Sequence, residues 1–165
     1  AFSRDGATDP FERINLDQTI KEAIEICGKR FIDNEILLKH EPSAVDPVID
    51  ARESQIIQVF VNLINNAFDA VQELSEKWVI VKTIIQEKSI TAQIIDSGNG
   101  ISENTFQKIL DPFYTTKDPG KGTGLGLSIS SKIIKEHGGK LSMDFENPHT
   151  CFTITFPRNN YGRSI

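Results

Sequence analysis

The sequence has no long apolar run, few cysteines and no excess of basic residues, and each shortage excludes a class of protein. No apolar segment approaches the roughly 20 residues that span a bilayer, and the amino terminus lacks the pattern of a signal peptide. Cys27 and Cys151 are far apart and show no metal-ligand spacing, which predicts two buried free thiols. We therefore expect a cytoplasmic segment without direct membrane contact.

The charge balance is acidic, with 18 Lys and Arg against 23 Asp and Glu and a net charge of -5. Such a balance argues against a surface that mainly binds nucleic acid or anionic lipid. The length of 165 residues and the hydrophobic fraction of 38% are those of one domain with a sizeable core. If this chain binds a polyphosphate, the geometry of one local site must hold the ligand, because the net charge of the chain does not attract it.

Hydrophobic spacing predicts one α/β domain over residues 11–157, between a polar linker remnant at 1–10 and a tail at 158–165. Asn15 or Asp17 is expected to cap the first helix. The helices are expected at residues 16–32, 53–75, 106–110 and 127–137. The strands are expected at 78–86, 89–96, 140–145 and 151–156, with short extended segments at 36–40 and 48–50.

The long second helix carries a stripe of polar residues at helical spacing, opposite an apolar face. The stripe consists of Gln55, Gln58, Asn62, Asn66, Asp69 and Glu73. A solvated face is the ordinary interpretation of such a stripe. Solvated faces are mostly Lys, Glu and Arg, however, whereas neutral amides offer oxygens that can ligate a hard cation such as Mg²⁺.

Two glycine-rich segments follow. In the segment IIDSGNGI, Asp96 ends an apolar strand, and Gly98 and Gly100 permit positive φ and a close approach of the backbone to a ligand. In GKGTGLGL, residues 120–127 lead into a helix, whose exposed N–H groups and dipole form an anion site. The spacing fits neither GxxxxGK[ST] nor GxGxxG, and the protein-kinase markers HRD and DFG are absent.

Four ordered blocks resemble the N, G1, F and G2 boxes of histidine kinases. They are QVFVNLINNAFDA, DSGNG, DPFYTTK and GKGTGLGLSIS, at residues 58–70, 96–100, 111–117 and 120–130. The resemblance covers nearly the whole chain. It implies a Bergerat-type (GHKL) two-layer α/β sandwich, with helices on one face of a mixed sheet and a short ATP lid, and it implies ATP and Mg²⁺ as cofactors.

The resemblance also implies residue roles at the base and the metal. Asp96 matches the carboxylate that accepts a hydrogen bond from the adenine amine, with Gly98, Gly100 and Ile101 shaping the adenine pocket. Asn66 matches the asparagine that ligates Mg²⁺, and Asn62 matches the other asparagine of the N box. The residues that match the phosphate-binding backbone are Gly122, Thr123, Gly124, Leu125, Gly126 and Leu127.

The F box implies a lid beside the phosphates. Phe113 and Thr116 fall in this box, and Lys117 matches a position from which an ammonium group can approach the γ-phosphate. Asn62, Asn66 and Lys117 are therefore the expected catalytic residues. Residues 118–121 form a short lid that resembles the compact-lid branch of the family.

The same resemblance favours a kinase over a hydrolase. Related ATPases carry a glutamate where this chain has Asn62, and an amide has no useful basicity. The alternatives are a GHKL ATPase, a serine-directed GHKL kinase or a nucleotide-sensing module without turnover. His40, His137 and His149 do not resemble a phosphoacceptor. We therefore expect the acceptor on a dimerisation and histidine-phosphotransfer domain outside this sequence, with a response regulator downstream and no nucleic-acid partner.

Overall fold

A computed structural model describes residues 6–111 and 126–158 and places seven strands and four helices within them. The helices are α1 Leu16–Asp33, α2 Glu53–Val71, α3 Glu103–Ile109 and α4 Gly126–Glu136. The strands are β1 Glu12–Asn15, β2 Leu37–Glu41, β3 Val48–Ala51, β4 Trp78–Ile85, β5 Ser89–Asp96, β6 Lys140–Met143 and β7 Thr150–Pro157. None of the helices in these two segments is long and apolar enough to cross a membrane.

Five strands form a mixed sheet in the order β2-β4-β5-β7-β6. The β2 and β4 strands are parallel, and the other neighbours are antiparallel. The central strand, β5, pairs with β7 from Ser89 to Asp96 and with β4 from Ile90 to Asp96. The end of β5 is therefore flanked by paired strands on both sides.

The helices cover one face of this sheet and enclose the core. Alternate side chains of β5 and β7 point into that core and are at most 5% exposed; they are Ile90, Ala92, Ile94, Phe152, Ile154 and Phe156. The second helix, α2, contacts β4 and β5 on one side and the helices α1 and α4 beside it. The predicted two-layer α/β sandwich with a mixed sheet is confirmed.

The first helix begins at the predicted cap. The Asn15 side chain accepts hydrogen bonds from the backbone N–H groups of Asp17 and Gln18, at 2.9 and 3.2 Å. Asp17, the alternative cap, instead accepts two hydrogen bonds from Ser43 and lies 3.4 Å from Nε2 of His40. Asn15 is therefore the cap, and Asp17 joins the helix to the chain that follows β2.

Some boundaries differ from the predictions. The strand β1 was not expected, because its four residues show no clear alternation; it pairs antiparallel with β3. The helix α2 ends at Val71, four residues before the predicted end. The helix α3 begins three residues before its predicted start, because Ser102 accepts a hydrogen bond from the N–H of Thr105 and caps it. Strand β6 ends at Met143 rather than residue 145, because the Asp144 carboxylate accepts from the N–H of Glu146 and turns the chain.

The described part of the amino-terminal segment packs on the start of α2. Arg52 Nε donates to the Asp9 carbonyl at 2.7 Å, and Ser54 Oγ donates to the Asp9 carboxylate at 3.0 Å. The Phe11 ring lies against His137, with 4.9 Å between ring centroids, and under the Arg52 guanidinium. Residues 9–11 therefore contact the body of the domain, and the predicted boundary at residue 10 stays a prediction.

Both cysteines are buried and free, as predicted. Burial raises the pKa of the Cys27 thiol to about 11, against a smaller opposing effect of Arg30. Burial also raises the pKa of Cys151. Because the thiolate is the reactive form, the burial and the raised pKa of both thiols indicate a packing role.

Two glycines are expected to respond oppositely to an added methyl group. A Cβ at Gly28, in α1, would meet no atom within 4 Å, so Gly28→Ala should stabilise the protein by about 1 kcal/mol through helix propensity. A Cβ at Gly139 would lie 2.5 Å from the Thr155 carbonyl oxygen, so Gly139→Ala should destabilise it by about 1 to 3 kcal/mol. Chemical denaturation measures both variants; equal effects would contradict this packing of Gly139.

Candidate functional site

A buried carboxylate lies at the end of the central strand. Asp96, the last residue of β5, is 2% exposed, and its Oδ1 accepts a hydrogen bond from the N–H of Gly98 at 2.8 Å. Burial raises the pKa of Asp96 to about 6, although the Gly98 N–H, the Thr150 hydroxyl and His149 act in the opposite direction. Burying a carboxylate is costly, and such a group at a strand end is typical of a ligand site.

Thr150 is a site residue that the sequence did not indicate. It is the first residue of β7 and lies directly opposite Asp96 in the strand pairing. Its hydroxyl bonds to the Asp96 carboxylate, and its Oγ1 accepts from the N–H of Gly100 at 3.0 Å. The predicted strand began one residue later, so only the register of the β5–β7 pair reveals this neighbour.

The glycines after Asp96 have a steric reason. A Cβ at Gly98 would lie 2.8 Å from Asp96 Oδ1, closer than real Cβ atoms approach, and 3.0 Å from Thr150 Oγ1, which is a tight contact. Gly100 has φ of 90°, a conformation that other residues rarely adopt. Ile101 follows and packs, partly buried, against the core. The structure therefore places Asp96, Gly98, Gly100 and Ile101 in one compact turn.

The second part of the site is the middle of α2. Asn62 and Asn66 lie one turn apart and are both half-buried. The amide nitrogen of Asn62 donates to the Ser130 hydroxyl of α4 at 3.5 Å. Gly126 and Leu127, which were predicted to bind phosphate, form the first turn of α4. The helix α2 contacts both β5 and α4.

The rest of the polar stripe serves other purposes. Gln55 is buried at 5% exposure, at the first turn of α2. Asp69 pairs with Arg30 of α1 at 3.3 Å, and the same guanidinium lies 3.8 Å from the centre of the Phe68 ring and bonds to Asn65. Asp69 thus contributes to the contact between α1 and α2. Gln58 is half-buried and Glu73 is exposed, so the stripe is not one continuous solvated face.

Several predicted site residues lie outside the described residues. They are Phe113, Thr116, Lys117, Gly122, Thr123, Gly124 and Leu125, together with the predicted lid at 118–121. Their roles stay predictions.

The three histidines all contact other groups of the fold. The His40 side chain is 18% exposed and lies beside Asp17. In His137, Nδ1 donates to the Ile133 carbonyl and Nε2 accepts from the backbone N–H of Arg52, and burial lowers the pKa of the ring. His149 donates from Nδ1 to the Gly98 carbonyl at 3.1 Å. None of the three lies on an exposed helix face, where a transferred group could reach it.

The candidate donors for a cation are the neutral amide oxygens of α2. Within residues 6–111 and 126–158, no three His, Cys, Asp or Glu side chains are grouped as metal ligands. The amide oxygens of Asn62 and Asn66 suit Mg²⁺, which prefers oxygen and usually completes its shell with water and phosphate. The residues present therefore fit a cation that arrives with a phosphate ligand.

These features define an α/β sandwich with a buried carboxylate at the end of its central strand. The family described as histidine kinase-, DNA gyrase B- and HSP90-like ATPases matches residues 51–160, about two thirds of the chain. The chain belongs to this family and is a histidine kinase-type ATPase domain of the kind found in two-component sensor kinases. The resemblance proposed from the four blocks is confirmed.

The relatives agree with this assignment. Sporulation kinase A of Bacillus subtilis strain 168 is 33% identical over 149 residues, which are 89% of this chain and 24% of that protein. The sensory histidine kinase/phosphatase NtrB of Rhizobium leguminosarum bv. phaseoli is 30% identical, over 87% of this chain and 40% of that protein. The chain spans about a fifth to two fifths of the curated relatives it matches.

Solved structures share the fold. The catalytic domain of the histidine kinase ThkA superposes with a TM-score of 0.79 and 31% identity, over 90% of this chain and 95% of that domain. ThkA in complex with the response regulator protein TrrA superposes with a TM-score of 0.76 and 28% identity, over 93% of this chain and 43% of that one. The structural likeness thus extends over nearly the whole sequence.

Because the Asp96 carboxylate is buried, we expect Asp96→Asn to weaken ATP binding and to increase the stability of the fold. If Asp96 accepts a hydrogen bond from the adenine amine, as the family resemblance implies, the amide would present a donor to that amine and ATP binding should be lost. The raised pKa means that protonated Asp96 contributes stability that is present below pH 3.8 and is lost as the pH rises through about 6. Asparagine does not ionise, so the variant does not lose this stability as the pH rises. Its free energy of unfolding at pH 7.5 should exceed that of wild type by up to about 3 kcal/mol.

Calorimetric titration with ATP tests the effect on binding, and denaturation at pH 7.5 and pH 4 tests the effect on stability. The difference in unfolding free energy between Asp96→Asn and wild type should be smaller at pH 4. Asp46→Asn, at an exposed loop position, is the control and should leave affinity and stability unchanged. Unchanged ATP affinity in a folded Asp96→Asn protein would show that Asp96 does not contact the base.

Proposed function

We propose that this domain binds Mg²⁺-ATP and donates the γ-phosphate to a histidine on a separate dimerisation and phosphotransfer domain. The observation that carries the proposal is the buried Asp96, held by Gly98 and Thr150 at the end of β5. A buried carboxylate accepts hydrogen bonds and donates none when ionised, so it suits the exocyclic amine of adenine. The family relationship supports the same ligand.

The two asparagines of α2 are the proposed groups at the phosphate end. Asn66 would ligate Mg²⁺ through its amide oxygen, and the cation would neutralise charge on the phosphates. Asn62 would lie beside it, oriented by its bond to Ser130. Gly126 and Leu127, at the amino terminus of α4, would offer backbone N–H groups to the phosphates. Lys117, Phe113, Thr116 and the 122–125 loop are proposed to complete the site.

Asn66→Ala should weaken ATP binding chiefly when Mg²⁺ is present, because the side chain is proposed to contact the cation and not the base. A loss of about tenfold in magnesium buffer and little change with a chelator are expected. Asn65→Ala is a matched control on the same helix, since Asn65 faces Arg30 of α1. Equal losses with magnesium and with chelator would contradict the metal role of Asn66.

Transfer to protein is favoured over hydrolysis by the chemistry of this site. A hydrolase needs a base to take a proton from water, and the amide of Asn62 is not basic. The amide nitrogen of Asn62 donates to the Ser130 hydroxyl, so this side chain is already a hydrogen-bond donor to α4. Phosphoryl transfer depends mainly on holding an acceptor in line with the γ-phosphate, and an external domain can provide that acceptor.

The isolated chain should therefore bind Mg²⁺-ATP without labelling itself and with only slow phosphate release. His40, His137 and His149 are engaged within the fold and should not become phosphorylated. Incubation with γ-labelled ATP, with and without the separately purified dimerisation domain, measures both activities. Acid-labile label on the isolated chain, or rapid release of phosphate, would contradict this assignment.

The proposed partners follow from the same function. The residues before 11 would connect the domain to the helices that carry the acceptor histidine, and residues 11–157 would be the catalytic unit, followed by a tail at 158–165. A response regulator would receive the phosphoryl group in a second step. The structure of ThkA with the response regulator TrrA supports such a partner.

A further inference from the structure

His149 reaches across the end of the central strand. It lies in the connection between β6 and β7, and its ring packs edge-on against Trp78 at the start of β4, with 4.8 Å between centroids and 77° between planes. Its Nδ1 lies 3.1 Å from the Gly98 carbonyl oxygen. Because a carbonyl can only accept, Nδ1 carries the proton. The imidazole therefore links both neighbours of β5 to the turn that follows Asp96.

This contact completes the restraint of Gly98. The N–H of Gly98 donates to Asp96 Oδ1 at 2.8 Å, and its carbonyl accepts from His149. A glycine has more backbone freedom than any other residue, so a hydrogen bond at each of its two peptide groups restricts its orientation. The adjacent Ser97 is tied to Trp78, because Ser97 N–H donates to the Trp78 carbonyl and Trp78 N–H donates to Ser97 Oγ.

We propose that His149 is a positioning residue that holds the Gly98 turn, and through it the Asp96 carboxylate, in the geometry that accepts the base. The proposal rests on the proposed ATP function of this site. Its action is exerted through Gly98 and not through contact with the nucleotide. Loss of this hydrogen bond should let the 98–99 peptide group rotate, and the flexible Gly98 backbone should then hold its own N–H, in the preceding peptide group, less rigidly against Asp96 Oδ1.

The chemistry of two amide side chains separates this role from simple packing. In asparagine the amide nitrogen is bonded to Cγ, as Nδ1 is in histidine, so His149→Asn can donate to the Gly98 carbonyl from the same place. In glutamine the amide nitrogen is one bond further from the backbone, at the position of Nε2. His149→Gln therefore keeps a polar side chain of similar bulk without restoring the bond.

The experiment is calorimetric titration of ATP into wild type and the Ala, Asn and Gln variants of His149. The Ala and Gln variants should bind about fivefold more weakly, the value of one ordinary hydrogen bond, and the Asn variant should stay within about twofold of wild type. The losses should be the same with magnesium and with chelator, because His149 acts at the base end. Glu146→Ala, an exposed change in the same connection, is the control.

A second measurement needs no nucleotide. Trp78 is the single tryptophan of the sequence, so its fluorescence reports on its contact with residue 149, and thermal melting shows that each variant is folded. The emission should change in the Ala variant. Wild-type emission in that variant would overturn the contact on which the proposal rests.

The outcomes at residue 149 are decisive. Equal ATP affinity in all folded variants would overturn the positioning role, and so would equal losses in the Asn and Gln variants, which would indicate packing alone. Failure of wild type to bind ATP would overturn the proposed function and with it this role. If wild type binds ATP, and if the Asn variant keeps this affinity while the Gln variant does not, the result supports both the proposed function and the positioning role of His149.

Discussion

The pairing of β5 with strands on both sides determines the geometry of the site. Asp96 is opposite Val79 of β4 and Thr150 of β7, so its carboxylate lies on the face that the helices cover. A slip of one residue in either pair would turn this side chain to the other face of the sheet. The long run of paired residues along β5, with Ile90, Ala92 and Ile94 buried on the same face, prevents such a slip.

The buried carboxylate has an energetic cost that the rest of the turn only partly offsets. Burial raises the pKa of Asp96 to about 6, even with the Gly98 N–H, the Thr150 hydroxyl and His149 stabilising the ionised form. A packing position would be better filled by an apolar residue. The retained carboxylate is consistent with a group that accepts a hydrogen bond from a ligand.

The helix α2 combines packing and chemistry because it is covered on more than one side. Its apolar side chains fill the space between the sheet and the neighbouring helices, and its fully buried members include Phe60, Ile64 and Val71. The polar residues that remain are sorted by what lies next to them. Asp69 meets Arg30 of α1, whereas Asn62 meets Ser130 of α4. Neighbouring elements thus decide which polar residues can face a ligand.

The sequence alone determined the fold class, the main helices and strands and the family, because these depend on local signals. Hydrophobic spacing indicates the helices and strands, and Asn15 indicates the start of α1. The carboxylate and glycines at residues 96–100 indicate a turn whose backbone can approach a ligand closely. The order of the four blocks along the chain carried the family resemblance.

Only the tertiary structure revealed Thr150 and His149, because their roles depend on the register of β7 against β5 and on the reach of a side chain across three strands. It also showed that Asp69 pairs with Arg30, residues that are 39 positions apart. Such contacts join segments with no relation in sequence spacing. No local pattern can predict them, because they depend on how segments that are distant in sequence pack together in the folded protein.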